Sequence, residues 1–478
     1  MDFNKEINMI TDLEKEGIFE GYWWIPENPD EKIAGVAKYD GKHHIVLKLY
    51  GHFSCMELFK KNQPFQVILG QYGFNNRISL LDCYGSFPSM SKTLDGVFDY
   101  SFFTCDEFIE GYHVQKISEL LITRVDISFT NLSHWFDSRF NLDESAIESD
   151  NLVKKSDYLL NDVVVLSDGL KIEFISHLTS TTPNNIRKQS EVKSYISLYH
   201  SEGKSLSYFK KIISKLQALL SFAMRGQAYP KEIKIFPTEC GLQIDNFILN
   251  NDLKIKYVFP QRGDFNECKE KLAQNMLFNY SHVKENISEI LSKWIIESEE
   301  FGLAFELYFS ILFNQNMYME HKFLSYVQAI EGLLRIFQDG KTIIDPEKFV
   351  DDIYNPIKNI LPKYIDNSFK SKICTEVKRL NDLSLKNRID LIVQDFSIDF
   401  KTNLFFKGIN ESCFTRDIAD IRNYLSHLFV SAPNSYNNHE LFNKYIHRLK
   451  VLLEILLFRV IGLEQKEIEE IIPRSFFK

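Results

Sequence analysis

"TRDIADIRNYLSHLF", residues 415–429, carries two faces at once. On a helical wheel at about 100° per residue, Ile418, Ile421, Leu425, Leu428 and Phe429 fall within roughly a third of the circumference, as a core-facing stripe requires. Opposite them Arg416, Asp420, Asn423 and His427 recur at i, i+4, i+7 and i+11 and share a wedge of about 60°. A face that only met solvent would more often carry Lys and Glu. Arginine supplies a rigid charged fork, asparagine an orienting amide, and histidine a group whose charge changes near neutrality. Those are the groups that bind and process a phosphodiester. A wet helix face with an Arg416–Asp420 ion pair is the plainer account, and both stay open at this level.

Around this helix the hydrophobic period stays near 3.6 from about residue 280 onward. HVKENISEILSKWIIESEEFGLAFELYFSILFN (282–314) reads as two successive helices and KFLSYVQAIEGLLRIFQDG (322–340) as a third, closed by Gly340. SKICTEVKRLND (371–382) and SLKNRIDLIVQDF (384–396) add two more. HELFNKYIHRLKVLLEILLFRVIGL (439–463) is the longest, set off by the turn-forming loop SAPNSYNNHE (431–440). Amphipathic helices on short connections predict a bundle.

The first half alternates with a period near two. AGVAKYDGKHHIVLKLYG (34–51) places strand-like runs either side of Asp40-Gly41, a hairpin signal. PFQVILGQYG, NRISLLDCYG, ELLITRVDISF, DVVVLSDGLKIEFI and KEIKIFP continue the pattern. One helix interrupts them, LSYFKKIISKLQALLSFAMRG (206–226), with Gly226 as its stop. The expected fold is therefore α+β: a β-rich domain over residues 1–270, followed by an all-α bundle over 281–478.

Bulk properties narrow the function. A chain of 478 residues exceeds what one core usually serves. Its net charge of −9 argues against general polyanion binding, which needs many Lys and Arg contacts to phosphates. Any nucleic-acid role must rest on a local basic patch, and Lys370 to Arg388, with six Lys and Arg against one Glu and one Asp, is the best candidate. A solvated face is its plainer reading. Seven cysteines without paired spacing, no apolar leader, and a greasiest run (451–463) broken by Glu454 and Arg459 lead us to expect a cytoplasmic protein with no membrane contact. Neither a phosphate loop nor a nucleophile elbow occurs, and no Asp/Glu/His set stands at ligand spacing, so neither metal nor cofactor is expected. Asp168 with Glu191 and Lys193 is a faint copy of the D…E-x-K set of metal nucleases, a spacing that arises often by chance.

RNYLSH (422–427), in the penultimate helix, resembles the R-x4–6-H signature of HEPN domains, in which a polar residue such as Asn423 habitually follows the arginine. FLSYVQAIEGLLR (323–335), a helix with an internal acid, followed by FTRDIADIRNYLSHLF, resembles the ApeA-like HEPN proteins of bacterial anti-phage defence. FEGYWWIPENPDEKIAGVAKYDGKHHIVLKLYG (19–51) is similar to their β-rich N-terminal domain, so the likeness spans nearly the whole chain.

That resemblance implies an endoribonuclease of abortive infection, with tRNA among its conceivable substrates. Such enzymes cut RNA without metal: the 2′-OH attacks its own phosphate and leaves a 2′,3′-cyclic phosphate. Carried over, His427 is the general acid or base, a role worth about 10²–10⁴ in rate. Arg422 holds the scissile phosphate and the charge growing on it, and Asn423 orients phosphate or imidazole. Arg416 is a second RNA-binding candidate on geometry alone. Arg422 and His427 diverge by about 140° on an ideal helix. Either the arginine bends round, or two protomers share one cleft. HEPN relatives commonly pair, so a homodimer or higher homo-oligomer with a composite active site is expected. Glu331 is a conceivable anchor behind Arg422, although a surface glutamate is the commoner outcome. The rival reading is a noncatalytic HEPN module that binds RNA or protein. By the family's logic the N-terminal domain is the sensor or clamp for a phage-derived trigger, with Tyr22, Trp23 and Trp24 either a binding surface or core.

Overall fold

The computed structural model describes residues 16–41, 44–54, 65–85, 89–93, 96–136, 158–181, 189–238, 255–259, 271–297, 301–314, 316–427 and 431–475. The chain divides into two units between Ile295 and Ile296. Strands fill the first and helices the second, so the α+β expectation holds.

In the first unit six antiparallel strands close on themselves. They are β1 (Gly17–Trp24), β2 (Ile33–Tyr39), β3 (Ile45–Leu49), β4 (Phe65–Tyr72), β5 (Asn76–Gly85) and β7 (Gly96–Glu110), with β6 (Ser89–Thr93) hairpinned onto β7. The ring runs β1-β2-β3-β7-β5-β4 and back to β1. Closure leaves these strands no bare edge. Alternation sets what goes inside: Ile45, Leu47 and Leu49 are buried, while Val46 faces out. The expected hairpin turns at Gly41, whose φ of 78° suits a residue without Cβ. Trp23 is fully buried opposite Gly70, where a Cβ would stand 2.4 Å from the indole; only glycine admits the ring there. Trp23 and Trp24 are core, and Tyr22 faces outward.

From β7 a second stretch of sheet continues through β13 (Lys256–Val258), β12 (Pro230–Pro237), β8 (Leu121–Phe129), β11 (Gln189–Ser205), β10 (Lys171–Thr181) and β9 (Tyr158–Val165). Helix α1 (Leu206–Met224) packs on β8 and β11. Its end corrects the expected stop. Arg225, not Gly226, takes the left-handed position (φ 47°), and Gly226 donates its N–H to the Ser221 carbonyl, closing a Schellman turn. Asp168 accepts from the Leu170 N–H (3.1 Å) and the Tyr208 hydroxyl (2.8 Å), so it closes a turn and anchors α1. The Tyr280 ring packs on Trp135 and Phe174, and Trp294 Nε1 donates to the Lys215 carbonyl at 2.6 Å. The helical turns Tyr280–Val283 and Ile287–Ser292 thus belong with the sheet, although the hydrophobic period has already changed.

The second unit contains α2 (Gly302–Phe313), α3 (Met319–Phe337), α4 (Asn367–Arg379), α5 (Leu385–Gln394), α6 (Glu411–His427), α7 (His439–Val460) and α8 (Gln465–Ile471). Helix α3 is central, packing on α2, α5, α6 and α7. Its Phe323, Val327, Ile330 and Leu334 are buried, with the Phe323 ring 5.4 Å from that of Phe442 on α7. Side-chain caps start the helices where the sequence offers them: Asp366 for α4, Ser384 for α5 and Asn438 for α7. Within α7, Glu454 is fully buried and accepts a hydrogen bond from Tyr308 of α2. The loop expected over 431–440 includes a helical turn, Asn434–Asn437. Among the described residues no helix is long and apolar enough to cross a membrane.

Candidate active site

The candidate residues lie on α6, and packing decides which way that helix turns. Its start is pinned by Asn410, whose Oδ1 accepts from the N–H and hydroxyl of Ser412 at 3.0 and 2.8 Å. The chain leading in is tied down by Arg448 of α7, which donates to the carbonyls of Phe405 and Lys407. Phe414, Ile418 and Ile421 are buried, and Leu425 is half-buried; Leu428 and Phe429 lie outside the described residues. From α7 the Tyr445 hydroxyl donates to Asp417 Oδ2 at 2.8 Å. Burial, then that carboxylate, pushes its pKa up.

With this face inward, Asn423 is half-buried and His427, the last helical residue, is exposed. Arg422 starts from the flank, as the wheel requires, and then bends round. Its Nη1 donates to Asn423 Oδ1 at 3.0 Å. Its Nη2 donates to Glu331 Oε2 on α3 at 3.1 Å. The guanidinium therefore returns to a residue that shares the His427 side of the helix. The side chain thus bends, within its own chain, toward that side of the helix.

Glu331 is no surface glutamate. Its side chain is 17% exposed and its second oxygen accepts from Arg335 Nη2 at 2.8 Å. Burial pushes its carboxyl pKa up, but the Arg335 and Arg422 guanidiniums outweigh that and hold it below the ordinary carboxylate value. A second flank is aromatic: Tyr424 of α6 lies 5.1 Å from the ring of Tyr436, whose hydroxyl donates to Glu320 of α3 at 3.2 Å. Nothing in the sequence marks Tyr424, Tyr436 or Glu320 as residues of a site. Tyr436 sits in a stretch that reads only as turn formers.

Arg416 is exposed, and its ion pair is with the adjacent Asp417 at 3.5 Å; the anticipated Arg416–Asp420 pair does not form. Cys413 and Asp417 together raise its pKa. The basic stretch over 370–388 is also revised. Arg388 is buried, donating from Nε to the Leu383 carbonyl (3.2 Å) and from Nη1 to the Leu334 carbonyl and Gln338 Oε1 (both 3.4 Å). Lys372, Lys378, Arg379 and Lys386 remain exposed, divided between α4 and α5. Among the described residues no three His, Cys, Asp or Glu side chains gather as a metal site would require.

Two family models match the chain: ApeA N-terminal domain 1 over residues 18–294, and Apea-like HEPN over residues 324–467. The second interval contains Glu331, Arg422, Asn423 and His427. No curated protein and no solved structure matches.

Proposed function

The chain belongs to the ApeA family, an ApeA N-terminal domain followed by an Apea-like HEPN domain, and from that premise we propose that it is a metal-independent endoribonuclease acting in bacterial antiviral defence by abortive infection. The HEPN match itself supports a nuclease-like, RNA-related role in defence. The finer reading is carried by one observation. Arg422 folds back to Asn423 on the side of α6 that ends in an exposed His427.

The chemistry follows from those groups. The 2′-oxygen gives up its proton and bonds to phosphorus while the bond from phosphorus to the 5′-oxygen breaks. The departing oxygen takes a proton, leaving a 2′,3′-cyclic phosphate and a 5′-hydroxyl. His427 performs one of the two proton transfers. A second imidazole, from a partner protomer in a homodimer, would perform the other. Negative charge grows on the nonbridging oxygens, and Arg422 meets it with the donors its two anchors leave over. Asn423 spends its carbonyl oxygen on Arg422, which leaves its amide N–H groups to face the phosphate. The N-terminal unit is the proposed sensor of a phage-derived trigger, and tRNA is the first substrate to test.

The test is direct. Incubated with tRNA or total RNA in EDTA, the wild-type protein cuts and leaves cyclic-phosphate ends, whereas His427→Ala is slower by about 10² or more. RNA left intact by both proteins would return the domain to a noncatalytic binding module. Cutting that required Mg²⁺ would overturn the mechanism.

A further inference from the structure

An arginine side chain carries about 2 kcal/mol of rotamer entropy, so one leaving a helix flank does not aim itself. Arg422 is aimed by two groups. Asn423 takes Nη1 from the same helix, and Glu331 takes Nη2 from α3, 91 residues earlier in the chain. The contact is single-point: Glu331 Oε2 faces Arg422, while Oε1 is engaged by Arg335. A carboxylate free to close both oxygens on Arg422 would compete with a phosphate for the same fork. Shared between two guanidiniums, it leaves Arg422 its Nε–H and one hydrogen on each terminal nitrogen.

Resting on the ribonuclease reading, we infer that Glu331 is the positioning residue of this site, holding the Arg422 guanidinium toward the Asn423–His427 side where the scissile phosphate is bound. It touches no reacting atom. Arg335 is the exposed partner that keeps the carboxylate from closing on Arg422, and Glu331 with Asn423 sets the plane of the fork.

The experiment uses the full chain and a defined RNA oligonucleotide in EDTA. Glu331→Ala lowers kcat about a hundredfold, the usual cost of a misplaced catalytic group, with KM changed by less than about threefold. Glu331→Gln keeps the shape and loses the charge; it falls by about tenfold and carries the comparison if the alanine variant does not fold. A second readout separates aiming from mere helix stitching. Millimolar guanidinium ion restores cutting to Arg422→Ala, but not to a variant that also carries Glu331→Ala or Glu331→Gln, because the anchoring carboxylate is gone. A purely structural Glu331 would lower Tm and leave that rescue intact. Wild-type kcat in both Glu331 variants, or equal rescue with and without the carboxylate, overturns the inference while the ribonuclease reading stands. If wild type and His427→Ala are equally inert, the ribonuclease reading fails first and this inference falls with it.

Discussion

Two arginines reach central helix α3 from neighbouring helices, and the structure uses them in opposite ways. Arg388, from α5, is buried and donates to the carbonyl of Leu334 and to Gln338 near the end of α3, and to Leu383 at the start of its own helix. Arg422, from α6, meets α3 at Glu331, and its side chain is 34% exposed. A guanidinium buried among carbonyls cannot present its donors to a ligand. One braced by side chains at the rim keeps some in reserve. The residue type is the same; the partners and the exposure distinguish scaffold from site.

If the contrast is right, the two substitutions fail in different assays. Arg422→Ala should cost about 10²–10³ in RNA cleavage, the effect of removing one preorganised donor to a developing charge, and should cost stability no more than the roughly 1 kcal/mol of its pairing with Glu331. Arg422→Lys should recover little, since an ammonium lacks the fork. Arg388→Met should do the reverse. It removes the hydrogen bonds of Arg388 to the Leu383 and Leu334 carbonyls and to Gln338 Oε1 at a cost of about 2–3 kcal/mol, read as a lower urea midpoint, with cleavage per folded molecule unaltered. A cleavage defect in Arg388→Met matching that of Arg422→Ala would erase the distinction.

How much of this was legible beforehand depends on how far apart the partners lie in the chain. The inward stripe of α6 was readable because Ile418 and Ile421 recur at helical spacing, and both are buried. Asp40-Gly41 marked its hairpin because a turn is a local event. Barrel closure was not readable. Alternation says which side of a strand is apolar, but nothing in it says that β3 pairs with β7 or β1 with β4. The reach of the β-rich unit past residue 280 rests on Tyr280 meeting Trp135 and Phe174, rings far away in sequence. Arg388 stood in a basic run and read as a patch because charge is written in the sequence while burial is a tertiary property. Glu331 was visible as an acid inside an apolar pattern, but only the docking of α6 on α3 supplies its partner.

A smaller effect probes the site's own electrostatics. Because the folded protein holds the Glu331 carboxyl below its ordinary value, the ionised pair adds stability above the unfolded-state pKa. That stability is lost as pH falls through the lower folded-state value. Glu331→Gln should therefore be less stable than wild type at pH 7 by about 1 kcal/mol, a figure kept small by partial exposure, and the gap should close toward pH 3. Urea midpoints at the two pH values measure it. A gap that persisted at pH 3 would mean that packing, not charge, makes Glu331 matter.

The smallest expected effect concerns the other arginine of the polar stripe. Arg416 lacks what braces Arg422: it is exposed, and its only ion pair among the described residues is a 3.5 Å contact with its sequence neighbour Asp417. Such a group can add attraction for an RNA backbone without aiming at any single phosphate. Arg416→Ala should leave kcat and Tm in place, raise KM by about threefold or less, and reduce the slope of log affinity against log salt by about one. An unchanged slope would assign Arg416 to the solvated face. A loss in kcat comparable to that of Arg422→Ala would mean that the catalytic row extends two turns farther back along α6, and that bracing by α3 is not what marks a working arginine here.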